Sequence, residues 1–117
     1  MDSQVISKRQ LARRRLSRAK LDEMIAEATV DAYGEAEQIG GFFTLLEERL
    51  KLPFKTEVLG IEVTVERLDL TDDEQIVAVC SRGTSRQSIS ILDLTLPDPA
   101  PEGAEWIEAF SHWACGR

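Results

Sequence analysis

Carboxylates are the residues of this chain whose type and spacing could do chemistry. Asp31, Glu35 and Glu37 fall within seven residues, Glu47 and Glu48 are adjacent, and Asp69, Asp72, Asp73 and Glu74 crowd a second short stretch. Like charges held within a turn or two of one another repel, and a bound hard cation relieves that repulsion. Calcium takes roughly six to eight oxygen ligands, several of them carboxylates, whereas magnesium takes fewer from protein and more from water. The EF-hand plan does not fit either cluster. A twelve-residue loop opened at Asp31 puts Ala36 where glycine is needed and Phe42 where a bidentate glutamate belongs; one opened at Asp69 puts Glu74 and Cys80 there.

Each cluster also has a simpler reading. Asp31, Glu35 and Glu37 could cap a helix and favour its N-terminus, an effect of about 0.3–1 kcal/mol for each charge. Asp72, Asp73 and Glu74 could be a solvated hairpin turn. Glu37 and Glu48 share a helical face, but at 1.5 Å per residue they stand about 16 Å apart and cannot share one ion.

Positioning these groups falls to a chain of 117 residues, 43% of them hydrophobic, enough for one domain with its own core. Charge divides it in two. Residues 1–20 hold seven bases against Asp2, a net +6, and are expected to be a mobile basic arm; residues 21–117 hold twenty acids and seven bases, a net −13, and are expected to be a single acidic domain. Such a body repels phosphate, so only the arm could contact nucleic acid, an anionic membrane or an acidic protein, and its simplest role is to fold back on the acidic body. Apolar runs are broken by charge every few residues and no charged-then-apolar leader opens the sequence, which predicts no membrane span and a cytoplasmic place. Cys80 and Cys115, far apart and outside any CxxC spacing, are expected to be free.

Periodicity supplies the elements. Leu21, Met24, Ile25, Ala28 and Ala32 follow helical spacing, and Ile39, Phe42, Phe43, Leu46 and Leu50 repeat it eighteen residues later. This predicts two amphipathic helices, or one kinked helix, with Gly34 favouring a break between residues 31 and 34 and Pro53 ending the helical region. A period of two then takes over: Val58, Ile61, Val63 and Val65, with Gly60 marking a bend, give a strand pair or one bent strand. Residues 71–73 read as a turn, 76–80 as a buried strand, 81–86 as a hairpin loop around Gly83, and Ile89, Ile91, Leu92, Leu94 and Leu96 as the last strand. Pro97, Pro99 and Pro101 form a stiff connector before a final helix bearing Trp106, Ile107, Phe110 and Trp113, which Gly116 stops. The fold class predicted is α+β: N-terminal helices and a C-terminal helix flanking a small bent antiparallel sheet or partial barrel.

Several runs in this order carry a resemblance. Asp31-Ala32-Tyr33-Gly34-Glu35-Ala36-Glu37-Gln38 is followed by Leu46-Glu47-Glu48, by residues 50–55, and by Val58-Leu59-Gly60. The strand pattern, the Leu92-Asp93-Leu94 step into a proline-rich link and the closing tryptophan-bearing helix come after them. Over residues 25–113 the chain resembles the bacterial family of small acidic calcium-binding proteins first known from cyanobacteria. The resemblance implies calcium binding without EF-hands and a role in buffering or sensing the ion. Family members often have aspartate where this chain has Glu48, and many carry tyrosines where it has Phe42-Phe43-Thr44.

The candidate metal ligands are therefore Asp31, Glu35, Glu37, Glu47, Glu48, Asp72 and Asp73, with calcium as the ion. The rival is a non-catalytic protein-interaction module using the acidic body or the basic arm. Catalysis is not expected: His112, the sole histidine, lies three residues before Cys115 without the further ligands a zinc site needs, and Ser81, Ser85, Ser88 and Ser90 have no neighbouring base.

Overall fold

The structure, a computed structural model, describes residues 16–116. Most of the expected basic arm, residues 1–15, lies outside the described residues. Its last part does not behave as an arm. Helix α1 (Arg18–Ala28) already includes Arg18 and Lys20, and the hydroxyl of Ser17 caps it by accepting from the Lys20 N–H at 3.0 Å. Leu16 packs against the core.

Helix α2 (Glu35–Arg49) begins after a six-residue connection with Gly34 as its N-cap, so the break predicted around Gly34 is present and the single kinked helix is not. Strands β1 (Phe54–Val58), β2 (Ile61–Leu70), β3 (Ile76–Arg82) and β4 (Ser85–Ser90) form an antiparallel meander in the order β1-β2-β3-β4. The sheet is open and does not close into a barrel. A one-turn 3-10 helix (Ile91–Asp93) follows, and α3 (Glu105–Cys115) closes the described chain, with Gly116 as its C-cap.

Turn chemistry sets the sheet register. Leu59 and Gly60 both have positive φ (53° and 80°), the conformation a two-residue hairpin turn of primed type requires, and the strand pair resolves as Val58 opposite Ile61. The β3–β4 loop is tighter than residues 81–86, with only Gly83 and Thr84 between paired Arg82 and Ser85. A bulge at Glu66 shifts the β2–β3 register between Val65 and Arg67, keeping Val65 and Leu68 on the buried face.

The last strand ends earlier than its leucines suggest. Beyond Ser90 the ladder stops, because the Ser90 hydroxyl accepts from the Leu92 N–H at 3.2 Å and turns the chain into the 3-10 helix. Leu94 and Leu96 still pack on the core, and the carbonyl of Thr95 accepts from the buried hydroxyl of Thr56 on β1. Alternation here came from a chain lying against the core, not from ladder pairing.

Helical stripes meet this face of the sheet. Leu21, Met24 and Ala28 of α1, Ile39, Phe42 and Leu46 of α2, and Trp106, Ile107, Ala109 and Phe110 of α3 join Val65, Leu68, Ile76, Ala78, Cys80 and Ile91 in one core. Phe42 is fully buried, its ring 5.2 Å from that of Phe110 and 5.4 Å from that of Trp113. Contacts of this kind add about 0.5–1.5 kcal/mol beyond burial. Arg49, in the last turn of α2, pairs with Glu27 of α1 at 3.3 Å and lies over the Trp106 ring of α3 at 5.4 Å, tying the three helices together.

Candidate metal centre

The connection between α1 and α2 is built by short local bonds. Thr29 caps α1, its N–H and its hydroxyl both donating to the Ile25 carbonyl (3.0 and 2.8 Å), and the Ala32 N–H returns to the Thr29 carbonyl at 3.0 Å. The chain then passes through Asp31 at φ 61°, a left-handed conformation that aspartate tolerates better than most residues. Glu35 and Glu37 occupy the first turn of α2, where the helix dipole favours negative charge. Glu37 reaches back, Oε1 accepting from the Tyr33 N–H at 2.7 Å. The capping reading is thus correct for Glu37. It does not hold for Asp31, which makes no hydrogen bond or ion pair among the described residues and lies exposed beside the exposed Val30 and Tyr33.

Glu47 and Glu48 sit at the opposite end of α2. Both are exposed, and neither has a hydrogen bond or ion pair among the described residues. They are separated from Glu35 and Glu37 along the helix, as the sequence spacing requires.

Asp72 and Asp73 lie in the turn joining β2 to β3. Thr71 organises it: its N–H donates to the Gln75 carbonyl (2.9 Å), its carbonyl accepts from the Glu74 N–H (3.0 Å), and its hydroxyl accepts from the Gln75 N–H (3.0 Å) while donating to Asp73. Glu74 takes φ 64° to close the loop. Nearby Asp69 accepts from its neighbour Leu70 N–H at 2.9 Å and pairs with Arg67 at 3.4 Å. Glu74 and Gln75 line a small cavity of about 70 Å³ together with Ile39, one turn beyond Glu35 on α2.

One acidic pair was not singled out from the sequence. The Leu59-Gly60 hairpin sets Glu57 directly opposite Glu62. Like charges in that relation destabilise a strand pair. The signal was available, since a two-residue turn at 59–60 fixes that register.

Oxygen donors dominate the acidic loops, as calcium requires, with neither thiol nor imidazole among them. Their arrangement is open. Among the described residues no group of three or more His, Cys, Asp and Glu is gathered closely enough to hold a metal ion. A calcium ion at either loop must therefore complete its shell with main-chain carbonyls, waters or carboxylates that move to meet it. His112 and Cys115 do not form such a group: His112 Nε2 faces Asp22 Oδ1 at 3.8 Å, and Cys115 is exposed and unpaired. Cys80 is buried and free, and burial pushes its thiol pKa up, away from the reactive thiolate.

No helix among the described residues is long and apolar enough to cross a membrane. A family model described as calcium binding matches residues 22–114. No curated protein and no solved structure matches the chain.

Proposed function

The chain belongs to this calcium-binding family, and from that premise we propose that it takes up the ion outside an EF-hand, at the α1–α2 junction, with Asp31, Glu35 and Glu37 as its carboxylate donors. The observation that carries this reading is the concentration of three carboxylates over one helix junction, with the Asp31 side chain not engaged by any described group. The connection spans six residues, half of what an EF-hand loop needs, which supports a site of another kind.

Charge relief is the mechanism. Carboxylates close to one another repel in the free protein; the ion neutralises them, draws the junction together and favours the folded chain by RT ln(1 + [L]/Kd), about 2.7 kcal/mol at a hundred times Kd. Such a protein buffers calcium, or senses it where a partner reads the ordered junction. Titration calorimetry with calcium and then magnesium tests the reading. Saturable heat with calcium and much weaker binding of magnesium is expected; equal responses that vanish in moderate salt mean diffuse screening only, and no specific site.

A further inference from the structure

The sheet ends on two unlike outer strands. β1 follows directly on Pro53 and carries Lys55 and Glu57, devices that guard an exposed edge. β4 has no proline, pairs with β3 without a bulge and carries Arg86 as its one charge. With only Gly83 and Thr84 in the turn, Arg82 and Ser85 form the hydrogen-bonded closing pair. Alternation along the ladder then turns the main-chain N–H and C=O of Gln87 toward β3, and those of Arg86 and Ser88 off the edge. Arg86 and Ser88 are exposed, and among the described residues their outward groups make no hydrogen bond.

Two features along this edge define what fits it. Arg82 and Arg86 are the sole charged residues between positions 75 and 92, and neither has an ion pair or a side-chain hydrogen bond among the described residues. Where β4 ends, Ser90 lines the cavity of about 70 Å³ that it shares with Ile39, Leu92, Phe110 and Trp113. We infer that β4 is a docking edge for an extended acidic peptide, which adds as a fifth strand, sets a carboxylate against Arg86 and seats a small aliphatic side chain in the cavity beside Ser90. Main-chain bonds to Arg86 and Ser88 give such a complex its affinity, and the guanidinium and the cavity give it specificity. Arg86 lies opposite Ser81 on the face away from the helices, whereas Ile89 packs against the core. The acid and the aliphatic residue of the peptide therefore stand an odd number of positions apart. Charge disfavours a second copy of the chain as the occupant, because its β4 would bring two more guanidinium groups to an edge that already holds two.

The test uses the whole chain and a blocked peptide of about ten residues, long enough to span β4, in which threonine and valine alternate and glutamate replaces two threonines near one end. Amide exchange should show the Arg86 and Ser88 N–H groups protected by the peptide, with Gln87, already paired to Cys80, unchanged. Fluorescence polarisation should give saturable binding that falls about tenfold in Arg86→Glu. Binding should be lost in Ser88→Pro, which removes one outward N–H and leaves the bonds to β3 in place. A peptide with lysine for glutamate should bind wild type about tenfold more weakly and recover in Arg86→Glu. Absence of saturable binding, equal binding of the two peptides, or protection confined to residues outside β4 overturns the inference. Sedimentation that shows the chain alone to dimerise, and Ser88→Pro to be monomeric, gives the edge to a second copy and overturns it equally. Should Ser88→Pro not fold, acidic peptides N-methylated at alternate residues decide on the wild-type protein: methylation in one phase should abolish binding and in the other leave it, and equal binding of both overturns the docking edge.

Discussion

In the β2–β3 turn the Thr71 hydroxyl holds Asp73 and the Gln75 N–H at once, so one of its acids is consumed in closing the loop. At the α1–α2 junction Glu37 is drawn into capping, while Asp31 stands in a left-handed backbone with no described partner. Both loops are acidic and exposed. Composition cannot separate them. What separates them is which carboxylate each backbone draws on: the turn engages Asp73 in closing itself, whereas the junction engages Glu37 on its helix and leaves Asp31, in the connection itself, without a described partner.

The largest effect that would break this comparison is a reversal of affinities. Asp31→Asn combined with Glu35→Gln should weaken calcium binding tenfold to a hundredfold, about 1.4–2.8 kcal/mol, while Asp72→Asn with Asp73→Asn should change it less than twofold. Calorimetry on the two double variants measures both, and the opposite ranking moves the site to the turn.

Stability should rank the other way. Asp73→Ala removes the carboxylate that Thr71 bonds and should cost about 1 kcal/mol in urea unfolding without calcium, whereas Asp31→Asn should cost nothing measurable, and relief of repulsion could make it slightly favourable. A costly Asp31→Asn would mean that this side chain holds the junction together without metal.

A smaller difference sharpens the role of Glu37. Glu37→Gln keeps an oxygen to accept the Tyr33 N–H but loses the charge favoured at a helix N-terminus, so it should cost only about 0.5 kcal/mol in melting experiments while still weakening calcium. Intact calcium affinity in this variant would confine Glu37 to capping and leave Asp31 and Glu35 as the junction's donors.

Much of the frame was legible because burial imposes a period. The spacing of Leu21, Met24 and Ala28, and of Ile39, Phe42 and Leu46, marked two helices whose stripes are buried as expected, and Gly34 marked the break between them. Leu94 and Leu96 misled because a segment lying across a core alternates as a strand does, Leu92 is itself exposed, and the Ser90 cap that ends the ladder leaves no periodic trace. The Thr56–Thr95 bond joins elements thirty-nine residues apart, a separation over which local pattern says nothing. For the candidate site, acidic clustering was visible and its division of labour was not. That Glu37 caps, Asp73 braces a turn and Asp31 does neither depends on backbone angles, which are set once the helices and strands have packed.

Arg49 gives the molecule an optical property. Its guanidinium lies over the buried indole of Trp106 on one side and meets Glu27 of α1 on the other, so any shift of α2 against its neighbours changes the electric field at a single chromophore. Trp113 instead lies with its ring stacked on Phe110 and tilted against Phe42. The emission of one tryptophan is thereby coupled to helix spacing and that of the other to the aromatic core. A change in calcium at the junction should be readable, without any label, as a change in the colour and intensity of Trp106 fluorescence.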